Sequence, residues 1–312
     1  MLLKSRKIFE LLKKSYHLLS NANPLLLSAA TAFFATFALS PILIILSHLL
    51  SLLLDEKVIL PKLFDKINIV FGEKSTHGIR RIVENFLSLE TNVWITVALS
   101  IFFYFIATTL LSAIRQSIHQ LWSIQKKPAQ KFPYHLKERL IEIVMILLIG
   151  VLFLFTLLID KGMDAFQLSL SGVNHKVSTV LYEGVNVIFS IALISTWLTF
   201  VYRFMPEAKV QWKVAFAGGL FTGTLFLLGR IVLTHLLANG KLGQLFGPSS
   251  GIAMVLLLIF YCSFILYFGA SFTFEYSKAI GHVIRPGKLG DKYEQQVVTK
   301  GMGRPPVKSV KV

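Results

Sequence analysis

The sequence predicts an all-α, polytopic transmembrane bundle of six spans with both termini in the cytoplasm. Three observations lead there. Charged residues make up 15% of the 312, well below the roughly one quarter of a soluble domain. The apolar residues gather in blocks long enough to cross a hydrocarbon core ~30 Å thick, which takes about 20 helical residues. Lys and Arg then alternate in density between connections: 22 lie on the side of the two termini and nine on the other, a bias that orients a membrane protein with its basic side inward.

Residues 1–24 carry Lys4, Arg6, Lys7, Lys13 and Lys14, with Ile8, Leu11, Leu12 and Leu19 roughly on one helical face. Such a basic amphipathic segment is expected in the head-group plane. Its charges also break up any cleavable signal core, so the block that follows reads as an uncleaved span. Asn23-Pro24 marks the turn into it. The six spans fall at about 25–54, 93–114, 140–160, 181–203, 213–237 and 249–276. Pro41 lies inside the first, where its ring removes one helical hydrogen bond and predicts a kink. Trp94, Trp122 and Trp212 fall at span ends, where indoles favour the interface; Trp197 lies within span four and reads as a packing residue.

The 55–92 connection is the one sizeable outer segment, and its six basic residues are matched by six acidic ones. Its broken amphipathic pattern predicts two short helices, with Gly72 and Gly78 as breaks. The segment 281–312 is basic, carries Pro286, Pro305 and Pro306, and is expected to be disordered. A lone Cys262 cannot form an intrachain disulfide. The net charge of +16 is accounted for by the basic cytoplasmic segments and anionic head groups, which outweighs a nucleic-acid reading.

Ser28-Ala29-Ala30-Thr31-Ala32-Phe33-Phe34, running on to Leu39-Ser40-Pro41, resembles the first span of the YihY/BrkB family. Tyr202-Arg203-Phe204-Met205-Pro206, followed by Val210-Gln211-Trp212, is similar to its junction between spans four and five. Ala217-Gly218-Gly219, and the block from Gly251 through Leu256, Tyr261 and Gly269-Ala270 to Glu275, resemble its last two spans. The resemblance covers about 25–280 and rests on joint order and spacing. It implies a six-span protein of the bacterial cytoplasmic membrane, in a family loosely linked to transport and envelope function that long carried a ribonuclease BN label. Where relatives often have Tyr-Tyr, this chain has Phe33-Phe34, so any hydroxyl function there is missing.

Arg230 is the clearest ionisable group within a span. A charge at that depth costs ~2.5–3.5 kcal/mol on insertion scales and normally faces the bundle interior or water, paired. Asp160 and Glu183, at the outer ends of spans three and four, are candidate partners for it in a substrate or lipid-phosphate site; a structural ion pair or snorkelling is the alternative. His235 lies on another face and reads as structural. At the inner side, Arg115 and His119 stand four residues apart and could grip a lipid phosphate or simply snorkel. Arg203 and Glu275 could form a gate-like pair. Ala215, Gly219 and Gly223 make a small-xxx-small stripe suited to close helix packing, with a sliding surface as the alternative. Gly240, Gly243, Gly247, Pro248 and Gly251 punctuate a short outer loop.

Metalloprotease, hydrolase-elbow and P-loop motifs are missing from the sequence. The dispersed histidines and carboxylates do not form the cluster that two-metal nuclease chemistry needs. No cofactor, metal or catalytic residue is therefore expected, and ribonuclease activity is disfavoured. The expected function is a transporter or lipid-translocating protein; the alternative is a non-transporting envelope scaffold that binds lipid. Expected partners are membrane lipids, anionic ones in particular, with homo-oligomerisation left open and nucleic acid excluded. Arg230→Leu is expected to abolish function while preserving expression; normal function in that variant would remove Arg230 from the site.

Overall fold

The computed structural model describes residues 5–52, 56–71, 73–87, 93–126, 132–169, 175–238, 250–287 and 290–292. Among them are nine helices: α1 Ser5–Asn21, α2 Pro24–Ser51, α3 Glu56–Phe71, α4 Glu73–Leu87, α5 Val93–Leu121, α6 Phe132–Ser169, α7 His175–Phe204, α8 Trp212–Ala238 and α9 Ser250–Ala279. Four short strands accompany them: β1 Ile124–Lys126, β2 Ala208–Lys209, β3 Arg285–Pro286 and β4 Gly290–Lys292.

Five stretches among the described residues are long and apolar enough to cross a membrane: Pro24–Ser51, Arg139–Met163, Leu181–Phe204, Trp212–Gly229 and Val255–Ala279. The other expected span falls on α5, where the side chains of 93–97, 99, 100 and 103 lie outside the described residues. Helix α6 has 38 residues, about 57 Å at 1.5 Å per residue, so it projects beyond a ~30 Å core.

The bundle is organised around α2 and α9, which pack on each other. Helix α5 lies against α2, the α7–α8 hairpin joins through α8 to α9, and α6 bridges α7 and α2. One hydrophobic core runs from mid-bundle to the end where α5, α7 and α9 terminate; Leu111, Ile118, Trp122, Leu198, Val214 and Phe274 belong to it. A second core fills the opposite end. There Ile59, Leu63, Ile67, Ile79 and Val83 of the α3–α4 hairpin cover Leu43, Leu46 and Leu50 of α2.

The turn into α2 follows the sequence closely. Asn23 takes the left-handed conformation, φ 56°, which Asn tolerates better than most residues, and Pro24 occupies the first helical turn, where its missing N–H costs nothing. Helix α1 sits against α9. Leu11, Ser15 and Leu19, spaced by four, are buried, while Phe9 and Tyr16 point outward. The segment is thus docked on the bundle by one face and free to meet the interface with the other.

Several expectations change. Gly78 does not break the outer segment; it lies within α4, and only position 72 separates α3 from α4. Trp122 is not at the interface: it is buried, stacks on Phe274 with centroids 6.4 Å apart, and donates its indole N–H to the Ala270 carbonyl at 3.0 Å. The expected disorder from 281 does not hold through 292. Gly281 adopts φ +74°, the left-handed conformation that ends a helix. Then β3 pairs antiparallel with β2 and β4 with β1. Ile284 is buried between these pairings and the core. Two- and three-residue strands are too short to leave a period-2 signal, so their sequence looks like tail. Residues 293–312 and the 239–249 loop lie outside the described residues.

Helix α8 is held between α7 and α9 by small residues. A Cβ added at Gly219 would come within 2.6 Å of the Ser195 carbonyl oxygen, and one at Gly223 within 3.2 Å of the Ser195 nitrogen. On the other side a Cβ at Gly218 would meet the Thr273 Cβ at 3.0 Å. Ala215 is fully buried. Backbone cannot retreat as a flexible side-chain tip can, so Gly219→Val is expected to lower the thermal midpoint of the detergent-solubilised protein sharply. Gly162→Ala, which meets nothing within 4 Å, is expected to be neutral or slightly stabilising. Equal midpoints for the two variants would contradict the close α7–α8 approach.

Candidate functional site

A span must satisfy its polar groups internally, and the end of the bundle near β1–β4 shows how this chain does so. Arg115 on α5 and Glu142 on α6 are each 2% exposed. The Arg115 guanidinium donates to Glu142 Oε1 at 2.9 Å, and Arg139, one turn before Glu142, donates to Oε2 at 3.0 Å. One buried carboxylate therefore holds two guanidinium groups, and the triad carries a formal charge of +1. Arg139 is 44% exposed, so the network reaches from the interior to the surface.

One turn past Arg115, buried His119 accepts a hydrogen bond on Nε2 from the Glu207 backbone N–H at 3.0 Å. This ties the end of α5 to the α7–α8 connection. In the neutral ring that bond leaves the proton on Nδ1.

A set of hydroxyls also gathers on α9. Thr31 of α2 hydrogen-bonds Tyr267. Tyr202 of α7 donates to the Leu266 carbonyl at 2.8 Å and lies 3.0 Å from Thr222 Oγ1 of α8. Gly269 makes room for that contact, since a Cβ there would lie 2.5 Å from the Tyr202 hydroxyl. Among the described residues Ser28 Oγ is buried without a hydrogen-bond partner. Four spans thus present polar side chains to one another inside an otherwise apolar bundle. Among the described residues no three His, Cys, Asp or Glu side chains gather as metal ligands would. The arrangement offers donors and a charged triad suited to holding or passing a polar group.

The residues singled out from sequence are distributed differently from the expectation. Arg115 and His119, placed at the lipid interface by their position at a span end, are both buried and engaged with protein, because α5 continues seven residues beyond the expected span. Asp160 pairs with Lys66 of α3, Nζ to Oδ2 2.7 Å. Glu183 is exposed on α7. Arg230 lies in α8, but its side chain, like that of His235, is outside the described residues. Arg203 and Glu275 are engaged apart from each other: Arg203 lies over the Trp212 ring at 5.1 Å, and Glu275 pairs with Lys278 at 2.7 Å. Gly219 and Gly223 line the α7–α8 contact, and Ala215, one turn before Gly219, is buried in the core. Phe33 and Phe34 stand on the outer face, edge to face at 5.7 Å.

Sequence reasoning missed Glu142, Tyr267, Thr31 and Lys66. Glu142 had a signal, an acid three residues after Arg139 just inside an apolar block, but its main partner lies 27 positions away. Glu142→Gln should strand Arg115 in the interior and cost ~3–5 kcal/mol, the usual penalty for breaking a buried pair. The double replacement Arg115→Met/Glu142→Leu should recover most of that loss in unfolding measurements in detergent. A double variant as unstable as the sum of its singles would show that the pair is not coupled.

Residues 16–291 match the family described as Virulence factor BrkB. A UPF0761 membrane protein of Psychromonas ingrahamii is 25% identical over 171 residues, which is 54% of this chain and 54% of that protein; the aligned part thus spans about half the length of that relative. No solved structure matches the chain. The family match runs from α1 to β4 and takes in every span described above, so this multi-pass membrane protein belongs to the Virulence factor BrkB family (YihY/UPF0761).

Proposed function

We propose that the chain is a transporter or lipid-translocating protein of the bacterial cytoplasmic membrane, with six spans and both termini in the cytoplasm. The reading rests above all on two observations: the buried Arg115–Glu142–Arg139 triad and the buried hydroxyls contributed by four spans. Charges and hydroxyls inside a membrane bundle are expensive and tend to mark the path of a polar or charged substrate. Arg230 is the cation proposed for the outer part of that path.

The sidedness draws support from the strand pairings. They gather the α5–α6 connection, the α7–α8 connection and the segment after α9 at one end, and these are three of the four basic-rich segments of the sequence. Helix α5, 29 residues long, supplies the sixth span. No catalytic step forms part of the reading. The second reading, a non-transporting scaffold that binds lipid, draws on the tight glycine-mediated packing of α8, which favours a rigid bundle.

Reconstitution tests lipid translocation directly. Vesicles carrying the full chain and a trace of fluorescent phospholipid are treated with the impermeant reductant dithionite. Lipid translocation predicts that bleaching extends from the outer leaflet to both leaflets, and that Glu142→Gln slows it at least severalfold. Bleaching that stops at the outer leaflet, as in protein-free vesicles, would remove lipid translocation and leave the transporter of another polar substrate against the scaffold.

A further inference from the structure

On the outer side of the α7–α8 hairpin lies a groove of about 430 Å³ lined by Thr196, Thr199, Phe200, Trp212, Lys213 and Phe216. Its volume falls in the range of small-ligand sites, about 300–1,000 Å³. It lies where Gly219 brings α8 onto Thr199 and faces the lipid: Phe216 in its wall and the neighbouring Phe204 and Leu220 are all exposed.

Two features define what it can take. Its walls are apolar despite two threonines, because both hydroxyls turn back onto their own helix: Thr196 donates to the Ala192 carbonyl at 2.7 Å and Thr199 to that of Ser195 at 2.6 Å. Their methyl groups are left for the groove. The end nearest the α7–α8 connection is cationic. Trp212, half-exposed, is clasped edge-on by Phe200 and Phe204, with centroids 6.0 and 5.7 Å away. The Arg203 guanidinium lies over its ring at 5.1 Å, a cation–π contact that holds the charge in place. Lys213 follows directly in sequence. Among the described residues neither cation has a carboxylate within ion-pair distance.

We propose that this groove binds one acidic glycerophospholipid, an acyl chain lying along Phe200 and Phe216 and the phosphate between Arg203 and Lys213. An amphiphile with an anionic head matches the groove at both ends: apolar walls in the hydrocarbon, two uncompensated cations and an indole at head-group level. A zwitterionic lipid would fill the walls equally but bring its own cation to the two already there. The site rests on the chain being a membrane protein and not on translocation; a lipid can be held here by a transporter or by a scaffold.

The test uses the full chain in vesicles whose lipids carry dibrominated acyl chains, which quench indole fluorescence on contact. The Trp212→Phe variant supplies the signal of the other three tryptophans for subtraction. Brominated phosphatidylglycerol should quench Trp212 at lower mole fraction than brominated phosphatidylcholine, with each cation contributing about fivefold in affinity. Arg203→Gln/Lys213→Gln should bring the two lipids level, and Thr196→Phe, which fills the groove at an exposed position, should weaken quenching by both. Equal quenching by both lipids in the unaltered chain, or a preference that survives the double replacement, would overturn the site. Selective quenching without dithionite-accessible inner-leaflet lipid would uphold the site while sinking translocation.

Discussion

A carboxylate sealed inside a lipid-embedded bundle has to be met by cations, and much of this end of the molecule follows from how Glu142 is met. Arg115 reaches it from α5, which fixes the rotation of that helix. The residues four and seven positions on then share the same face. His119 arrives at the Glu207 N–H in the α7–α8 connection, and Trp122 at the Ala270 carbonyl of α9. One side of one helix end therefore joins three neighbours, each through a directional bond. Apolar packing alone would leave α5 free to turn about its axis, since Leu against lipid and Leu against protein differ little in hydrophobic free energy.

The rest of the bundle applies the same economy more locally. Thr36, Thr108, Thr109, Thr156, Thr196, Thr199 and Thr224 each donate to a carbonyl in the preceding turn of their own helix. A hydroxyl satisfied in this way can face lipid or a neighbouring helix with little penalty. Tyr202, Tyr267 and Trp122 cannot fold back so, and all three are buried where another helix supplies the acceptor or the hydroxyl. Large polar side chains specify which helices meet. Several phenylalanines, Phe33, Phe37, Phe102 and Phe105, are left on the outside, whereas Phe64 and Phe274 fill the cores.

How much of this was readable follows from the range of each interaction. Five of the expected spans, the Asn23-Pro24 turn, the two short helices α3 and α4 and the small-residue stripe on α8 depend on neighbours within a few residues, and the sequence showed them. The burial of Arg115 and Trp122 depended on how far α5 continues beyond its apolar block, which hydropathy does not report. The α3 to α6 link through Lys66 and Asp160 joins residues 94 positions apart, and nothing in either segment announces the other. The triad was half legible: Arg139 and Glu142 stand one turn apart, and only the α5–α6 packing brings in Arg115. Arg203 and Glu275 carried the right charges for a pair, yet a ring and a nearer lysine took them.

The strand pairings carry a consequence for biogenesis. Residues 285–292 are synthesised after the last span, yet they complete ladders whose other halves, at 124–126 and 208–209, are made far earlier. Until α9 has entered the membrane those two connections present unpaired backbone edges to the aqueous phase. The cap therefore closes last, and it can close only where these three segments meet at one end of the bundle. The short ladders thus tie the last-made segment back to two connections made long before it.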